Sequence, residues 1–133
     1  MINKSKKILS EISTGELLDK ISILEIKVKK VNDKTSLKEI QKEYGILKKT
    51  QESLVKIEGK ISELFKLIKQ TNLKLWNVED QLRICEKNKD FGENFIKLAR
   101  EVYLNNDKRA KIKSEINKIS ESNIREIKHY VDY

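Results

Sequence analysis

From Leu54 onward, apolar residues recur three and four positions apart at Leu54, Ile57, Ile61, Leu64, Ile68, Leu75, Val78, Leu82 and Cys85, with Thr71 as the polar member of the series. This is a heptad seam, the stripe of an amphipathic helix that packs against another along its length. After Asn88 to Gly92 the spacing resumes through Phe95, Leu98, Val102, Asn105, Arg109, Ile112, Ile116 and Ile119. The two runs predict long helices over 53–88 and 91–119, folded into an antiparallel hairpin. With the turn near residue 90, facing positions have numbers summing to about 180. Cys85 then faces Phe95, Leu82 faces Leu98, Val78 faces Val102, Ile68 faces Ile112, Leu64 faces Ile116 and Ile61 faces Ile119. The polar members coincide, Thr71 with Arg109 and Leu75 with Asn105, which predicts a polar layer between two apolar runs.

The first half of the chain predicts shorter helices. Residues 1–12 carry no helical stripe and are expected to be mobile or extended. Ser13 stands three positions before Glu16, the spacing of a capping box, and starts a helix over 13–32. Its stripe of Leu17, Ile21, Leu24, Val28 and Val31 is widened by Leu18, Ile23 and Ile26, enough to touch two neighbours. Ser36 and Glu39 repeat the capping pattern after a polar turn and open a second helix over 36–50, with Leu37, Ile40, Tyr44 and Leu47 on its apolar side. Beyond it the spacing slips at Gln51. Either the chain turns there, or residues 36–88 form one rod about 80 Å long at about 1.5 Å per residue. The turn is preferred, because so long a helix is uncommon in a domain of this size. Asp90 and Glu93 form a third capping pattern before the last long helix. A short helix is expected from Ser122 through Ile127, with His129, Tyr130 and Tyr133 packing back on the body. The fold class is therefore all-α, a single domain of 133 residues built as an antiparallel helical bundle on a long coiled-coil-like hairpin.

Composition agrees with this reading and narrows the function classes. There is no proline, there are four glycines and 38% of residues are charged, a balance typical of long amphipathic helices. No apolar stretch approaches a membrane span and the opening lacks a signal-peptide core, so a cytoplasmic protein is expected. One cysteine excludes an internal disulfide, and Cys85 lies on the seam as a small core residue. His129 is the only histidine and no ligand-spaced cluster surrounds it, so neither a metal nor a cofactor is expected. The net charge of +8 raises the question of nucleic acid, but 25 of the 29 basic residues are lysines spread over every segment, without interleaved aromatics. A solvated lysine surface explains them better than a phosphate-reading face, for which arginine is favoured. The arginines are less evenly placed, with Arg83, Arg100 and Arg109 in the distal half of the hairpin and Arg125 outside it.

Two shorter helices cover only the proximal half of the hairpin. Leu73, Trp76, Ile84, Phe91 and Ile96 then leave apolar surface that one protomer cannot bury, which predicts a homodimer through the distal hairpin. Two blocks of the chain also resemble an uncharacterised family of small bacterial proteins. One runs from Gly15 to Lys27 and the other from Trp76 to Asn117. The second carries Trp76, Glu79, Asp80, Arg83, Cys85, Glu86, Phe95, Leu98, Ala99, Arg100, Tyr103, Asn106, Asp107, Arg109, Ala110, Lys113, Glu115 and Asn117. That resemblance brings no reaction with it.

Its polar members lie on or beside the seam around the expected polar layer. Arg109 on the seam requires a partner, with Asp107, Asp19 and Glu25 as candidates, because an unpaired buried charge is costly. Arg83, Arg100, Arg109 and Lys113 are candidates to hold a phosphorylated or carboxylated small molecule. Glu79 and Asp107 would orient these cations, Tyr103 and Asn106 would flank them, and Asp19 or Glu25 would close the site from the first helix. No residue stands out as a general acid or base. The leading expectation is a non-catalytic, self-associating module that binds a protein partner. The alternative is a small-molecule binder or enzyme using the charged layer, and the second alternative is nucleic-acid binding through the lysines.

Overall fold

In the computed structural model, which describes residues 6–133, Ser13 Oγ accepts a hydrogen bond from Glu16 N at 3.1 Å and opens the first helix, α1, Thr14–Lys30. Three more helices follow: α2, Lys34–Leu54, α3, Gly59–Lys87, and α4, Glu93–Ile119. The chain is all-α, with no strand among the described residues. The part of the opening segment at 1–5 lies outside the described residues, and 6–12 carry no regular secondary structure.

Helices α3 and α4 form the antiparallel hairpin. Its tip closes by backbone bonds: Lys89 N donates to Glu86 O and Asp90 N to Cys85 O, with Lys89 in the left-handed region at φ 55°. This is the Schellman arrangement, which satisfies the carbonyls left over at a helix end. The same arrangement ends α4, where Glu121 has φ 53° and Ser122 N donates to Asn117 O.

Helix α1 lies along the proximal hairpin, antiparallel to α4 and parallel to α3, with Gly15 beside Asn117 and Asp19 beside Asn72 and Arg109. Leu17, Leu18 and Ile21 of α1 meet Ile61, Leu64 and Ile68 of α3 and Ile112 and Ile116 of α4 in the main core. Each such side chain stabilises the fold by roughly 1.5–3 kcal/mol. A second, smaller core of Val78, Cys85 and Leu98 holds the distal hairpin together, flanked by Leu82, Phe95 and Val102. Between the cores sit the buried polar residues Asp19, Ser22, Thr71, Asn72 and Asn105. Helix α2 packs on α1.

Several local expectations change. Helix α2 runs on to Leu54, and the chain turns over 55–58 rather than at Gln51. Gln51 is instead buried near the end of α2, where its Nε2 donates to Val55 O at 2.8 Å. The break needs Gly59, whose φ of +56° is a conformation that side-chain-bearing residues disfavour. Leu54, counted as a seam residue of the third helix, ends α2 and is 78% exposed. The cap of α2 is Asp33, accepting from Ser36 N at 2.8 Å, rather than Ser36 itself. The cap of α4 is Gly92, with no side-chain bond, because Asp90 Oδ1 accepts from Gly92 N within the turn. Residues 122–133 form no helix. They run back along α4 as an irregular segment, because Ile124 and Ile127 find no apolar partner to support a helical face and remain exposed.

Candidate functional site

The polar layer is built around Asp19, whose side chain is 4% exposed. One turn further along α1, Ser22 Oγ donates to the Asp19 carbonyl at 2.7 Å, and both side chains face α3. There Asn72 Nδ2 donates to Asp19 Oδ1 and to Ser22 Oγ, each at 2.8 Å. The amide oxygen of Asn72 accepts from Arg109 Nη1 at 3.3 Å, while Arg109 Nε lies 3.9 Å from Asp19 Oδ1. A buried carboxylate therefore has an amide bridge and a guanidinium as partners, which is what keeping its charge away from water requires.

One turn beyond Arg109 on α4, Lys113 joins the layer from the other side. Its Nζ stands 2.6 Å from Glu16, 3.3 Å from Glu126 and 3.6 Å from Asp19. Burial alone would pull the Lys113 ammonium down, but the hydrogen bond to Glu16 and the charges of Asp19, Glu16 and Glu126 outweigh it and hold its pKa above the usual lysine value. Glu16 thus spends its carboxylate on Lys113 instead of completing the capping box. Close approach of α1 to α4 makes this geometry possible: Gly15 N donates to Asn117 Oδ1 at 2.7 Å, and a Cβ on Gly15 would stand 2.6 Å from the Lys113 carbonyl.

Beside the layer, where the hairpin runs beyond the cover of α1, a groove of about 380 Å³ opens. Ile23 and Ile26 of α1 form one wall, Trp76, Glu79, Asp80 and Arg83 of α3 another, and Asn106 and Arg109 of α4 the third. Arg109, with its side chain 30% exposed, therefore belongs to both the layer and the groove. Arg83 is differently placed: it pairs with Glu79 at 2.5 Å on an exposed helix surface and has no contact with the layer.

The ten sequence candidates thus divide. Asp19, Arg109 and Lys113 share the layer, and Glu79, Arg83 and Asn106 share the groove with Arg109. Glu25 faces away from them, 2.8 Å from Lys69 and accepting from Tyr44 Oη at 3.2 Å. Arg100 bonds Tyr103 at the exposed surface, and Asp107 accepts from Tyr133 Oη, whose ring packs edge-on against Tyr103. Asp107 is therefore not the partner of Arg109. Asn72, Ser22, Glu16, Asn117 and Glu126 are further members of the network. Asn72 lies one residue past Thr71, about 100° round the helix toward α1, a direction that becomes meaningful once the position of α1 is known. Thr71 and Asn105 bond back to the carbonyls of Leu67 and Glu101 on their own helices and leave the layer to their neighbours.

Of the five residues expected at a dimer interface, Trp76 lines the groove, and Phe91 packs edge-on against Phe95 with ring centroids 5.3 Å apart. Leu73, Ile84 and Ile96 are exposed. Leu73 lies in a groove between α3 and α4, beside Val78, Leu98 and Glu101.

Among the described residues no group of His, Cys, Asp and Glu is arranged to hold a metal ion, and no helix is long and apolar enough to cross a membrane. The profile of one protein family matches residues 8–132. The chain belongs to DUF6165, a family of unknown function. No curated protein and no solved structure matches it. The DUF6165 match spans the entire layer, from Glu16 to Glu126, together with the groove.

Proposed function

We propose that the groove between α1, α3 and α4 binds a small molecule in which a carboxylate or phosphate is joined to an apolar or ring-shaped body. The observation that carries this reading is the placement of Arg109. Its guanidinium is held from within by Asn72 and Asp19 and also lines the groove opposite Trp76. A guanidinium already positioned by a buried amide and carboxylate presents its remaining N–H groups as a ready fork for an oxyanion, with little ordering cost on binding. Trp76, Ile23 and Ile26 supply the apolar surface against which the rest of such a ligand is desolvated. Asp80 and Asn106 on the rim suit hydroxyl or amino groups on the same ligand. The activity proposed for the groove is binding.

Trp76 is the only tryptophan and lines the groove, so its fluorescence is a direct reporter. Titration with aromatic carboxylates, phosphosugars and nucleotides is expected to shift the emission for at least one class. Loss of that response in Arg109→Met, with the free protein still unfolding cooperatively, is the expected control.

A second reading, self-association with binding of a protein partner, is favoured by one observation. The distal hairpin extends past α1 with a thin core and half-exposed Ile84, Phe91 and Ile96 around it. A sedimentation-derived mass that rises with protein concentration, and falls back in Ile84→Glu, would support it.

A further inference from the structure

On the opposite side of Arg109 from the groove, the C-terminal segment encloses a second chamber of about 190 Å³. Arg109 and Lys113 contribute from α4, and Lys128 and Tyr130 from the returning segment. One carboxylate, Asp107, also lines it, and the Tyr133 hydroxyl already bonds to that carboxylate. The segment is anchored at its near end, where Thr14 N donates to Ser122 Oγ at 3.1 Å and Asn123 Nδ2 to Glu11 at 2.7 Å. Its far end is tied by Tyr133. Three cations on two structural elements thus converge on one space, an expensive arrangement unless negative charge compensates it.

Glu16 and Asp19 compensate Lys113 from α1, and Glu126, beside the chamber, is shared between Lys113 and Lys128. The Glu126 carboxylate lies 2.9 Å from Lys128 and 3.3 Å from Lys113, so one side chain of the returning segment holds both ammonium groups. Glu126 is 41% exposed, and its bonds replace hydration at low net gain. A half-exposed carboxylate shared between two lysines is the kind of partner that an incoming anion with more charge and more acceptors can displace. Phosphate fits that description better than a carboxylate, because its oxygens can meet cations arriving from different directions. The chamber has room for about six waters at about 30 Å³ each, enough for such an anion with part of its hydration.

We infer that the chamber between α4 and the C-terminal segment is a phosphoryl-group site, in which Glu126 acts as the resident competitor for Lys113 and Lys128. The site borders the groove through Arg109 and Asn106 but does not depend on the groove being occupied. An anion here takes Lys113 and Lys128 from Glu126, with Arg109 on the same chamber wall, and releases Glu126 to solvent.

The test is calorimetric titration of the full chain with inorganic phosphate at low ionic strength, for the wild type, Glu126→Gln and Lys128→Met. Both substitutions lie in the irregular segment outside the helices, and Lys113 keeps Glu16 and Asp19 as partners, so the bundle still folds. Glu126→Gln is expected to bind phosphate about tenfold more tightly and Lys128→Met about tenfold more weakly, the scale of one charge-assisted hydrogen bond gained or lost. The sign for Glu126→Gln is decisive, since a carboxylate that merely braces the segment would weaken phosphate binding when removed. Absence of binding to the wild type, weaker binding by Glu126→Gln, or unchanged binding by Lys128→Met would each overturn the assignment. Failure of the groove reading is separable: Trp76 emission would then ignore every groove ligand while the phosphate series behaved as stated.

Discussion

Asn117 accepts a hydrogen bond from the backbone N–H of Gly15 at 2.7 Å, across 102 residues of sequence, and this contact sets how closely α1 approaches α4. A methyl group at position 15 would meet the Lys113 carbonyl at 2.6 Å, and that atom is backbone within a helix. Gly15→Ala is therefore expected to lower stability by about 1–3 kcal/mol despite its higher helix propensity. Urea denaturation measures this directly, and unchanged stability would mean that α1 does not sit this close to α4.

Asn72 joins three helices through one amide, bonding Asp19 and Ser22 of α1 and accepting from Arg109 of α4. Asn72→Leu leaves a buried carboxylate without its amide partner and is expected to cost about 2–3 kcal/mol. The double variant with Asp19→Leu should lose clearly less than the sum of the two single losses, because both changes remove the same interaction. Additive losses in a double-mutant cycle would show that the pair is not coupled.

Lys89 and Glu121 occupy the left-handed position that ends a helix, with φ of 55° and 53°. A residue with a Cβ is disfavoured there relative to glycine by about 1 kcal/mol. Lys89→Gly and Glu121→Gly are each expected to raise stability by a few tenths to about 1 kcal/mol, reduced somewhat by the greater freedom of glycine in the unfolded chain. Thermal melts of the two variants provide the check.

The hydrogen bond from Lys128, with support from Lys113, holds the Glu126 carboxyl below the usual glutamate value. A carboxyl with a lowered folded pKa contributes stability that is present above its unfolded value and disappears as pH falls through the folded one. The ion pairs of Glu126 with Lys128 and Lys113 are therefore expected to be intact at neutral pH and to be lost at acid pH, below the ordinary glutamate range. Lys113, raised in the folded state, sets the opposite limit: its contribution is complete below the ordinary lysine value and lost as pH rises through the folded one. Carboxyl-carbon NMR titration of Glu126 should give a value below that of an exposed glutamate, returning toward it in Lys128→Met.

The hairpin could be read in advance because its three-four spacing runs from Ile61 to Cys85 and from Phe95 to Ile116, with polar members only at Thr71, Asn105 and Arg109. The width of the α1 stripe likewise announced a helix with two neighbours. Turn 55–58 was harder to place, because the seam spacing continues through Leu54 and Ile57 although neither belongs to the interior of α3. Gly59 was the available signal, a glycine where apolar periodicity alone saw no break. Within the layer, Asp19, Arg109 and Lys113 were accessible as charged residues on or near apolar stripes. Asn72 and Asn117 were not drawn into it, since a neutral amide beside a seam has no cost that demands a partner until the third helix is placed. The C-terminal segment has no period at all, and its residues acquire meaning only through the cations of α4 they reach.

The most direct measurement is the Trp76 emission of the wild type, Arg109→Lys and Arg109→Met, titrated with a panel of aromatic carboxylates, phosphosugars and nucleotides. Asp19 keeps Asn72 and Lys113 as partners when Arg109 is replaced, so the variants remain folded for comparison. The groove account predicts saturable emission changes for one ligand class, weakened in Arg109→Lys by loss of the planar fork and abolished in Arg109→Met. No response to any ligand in the wild type, or an equal response in all three proteins, would contradict it.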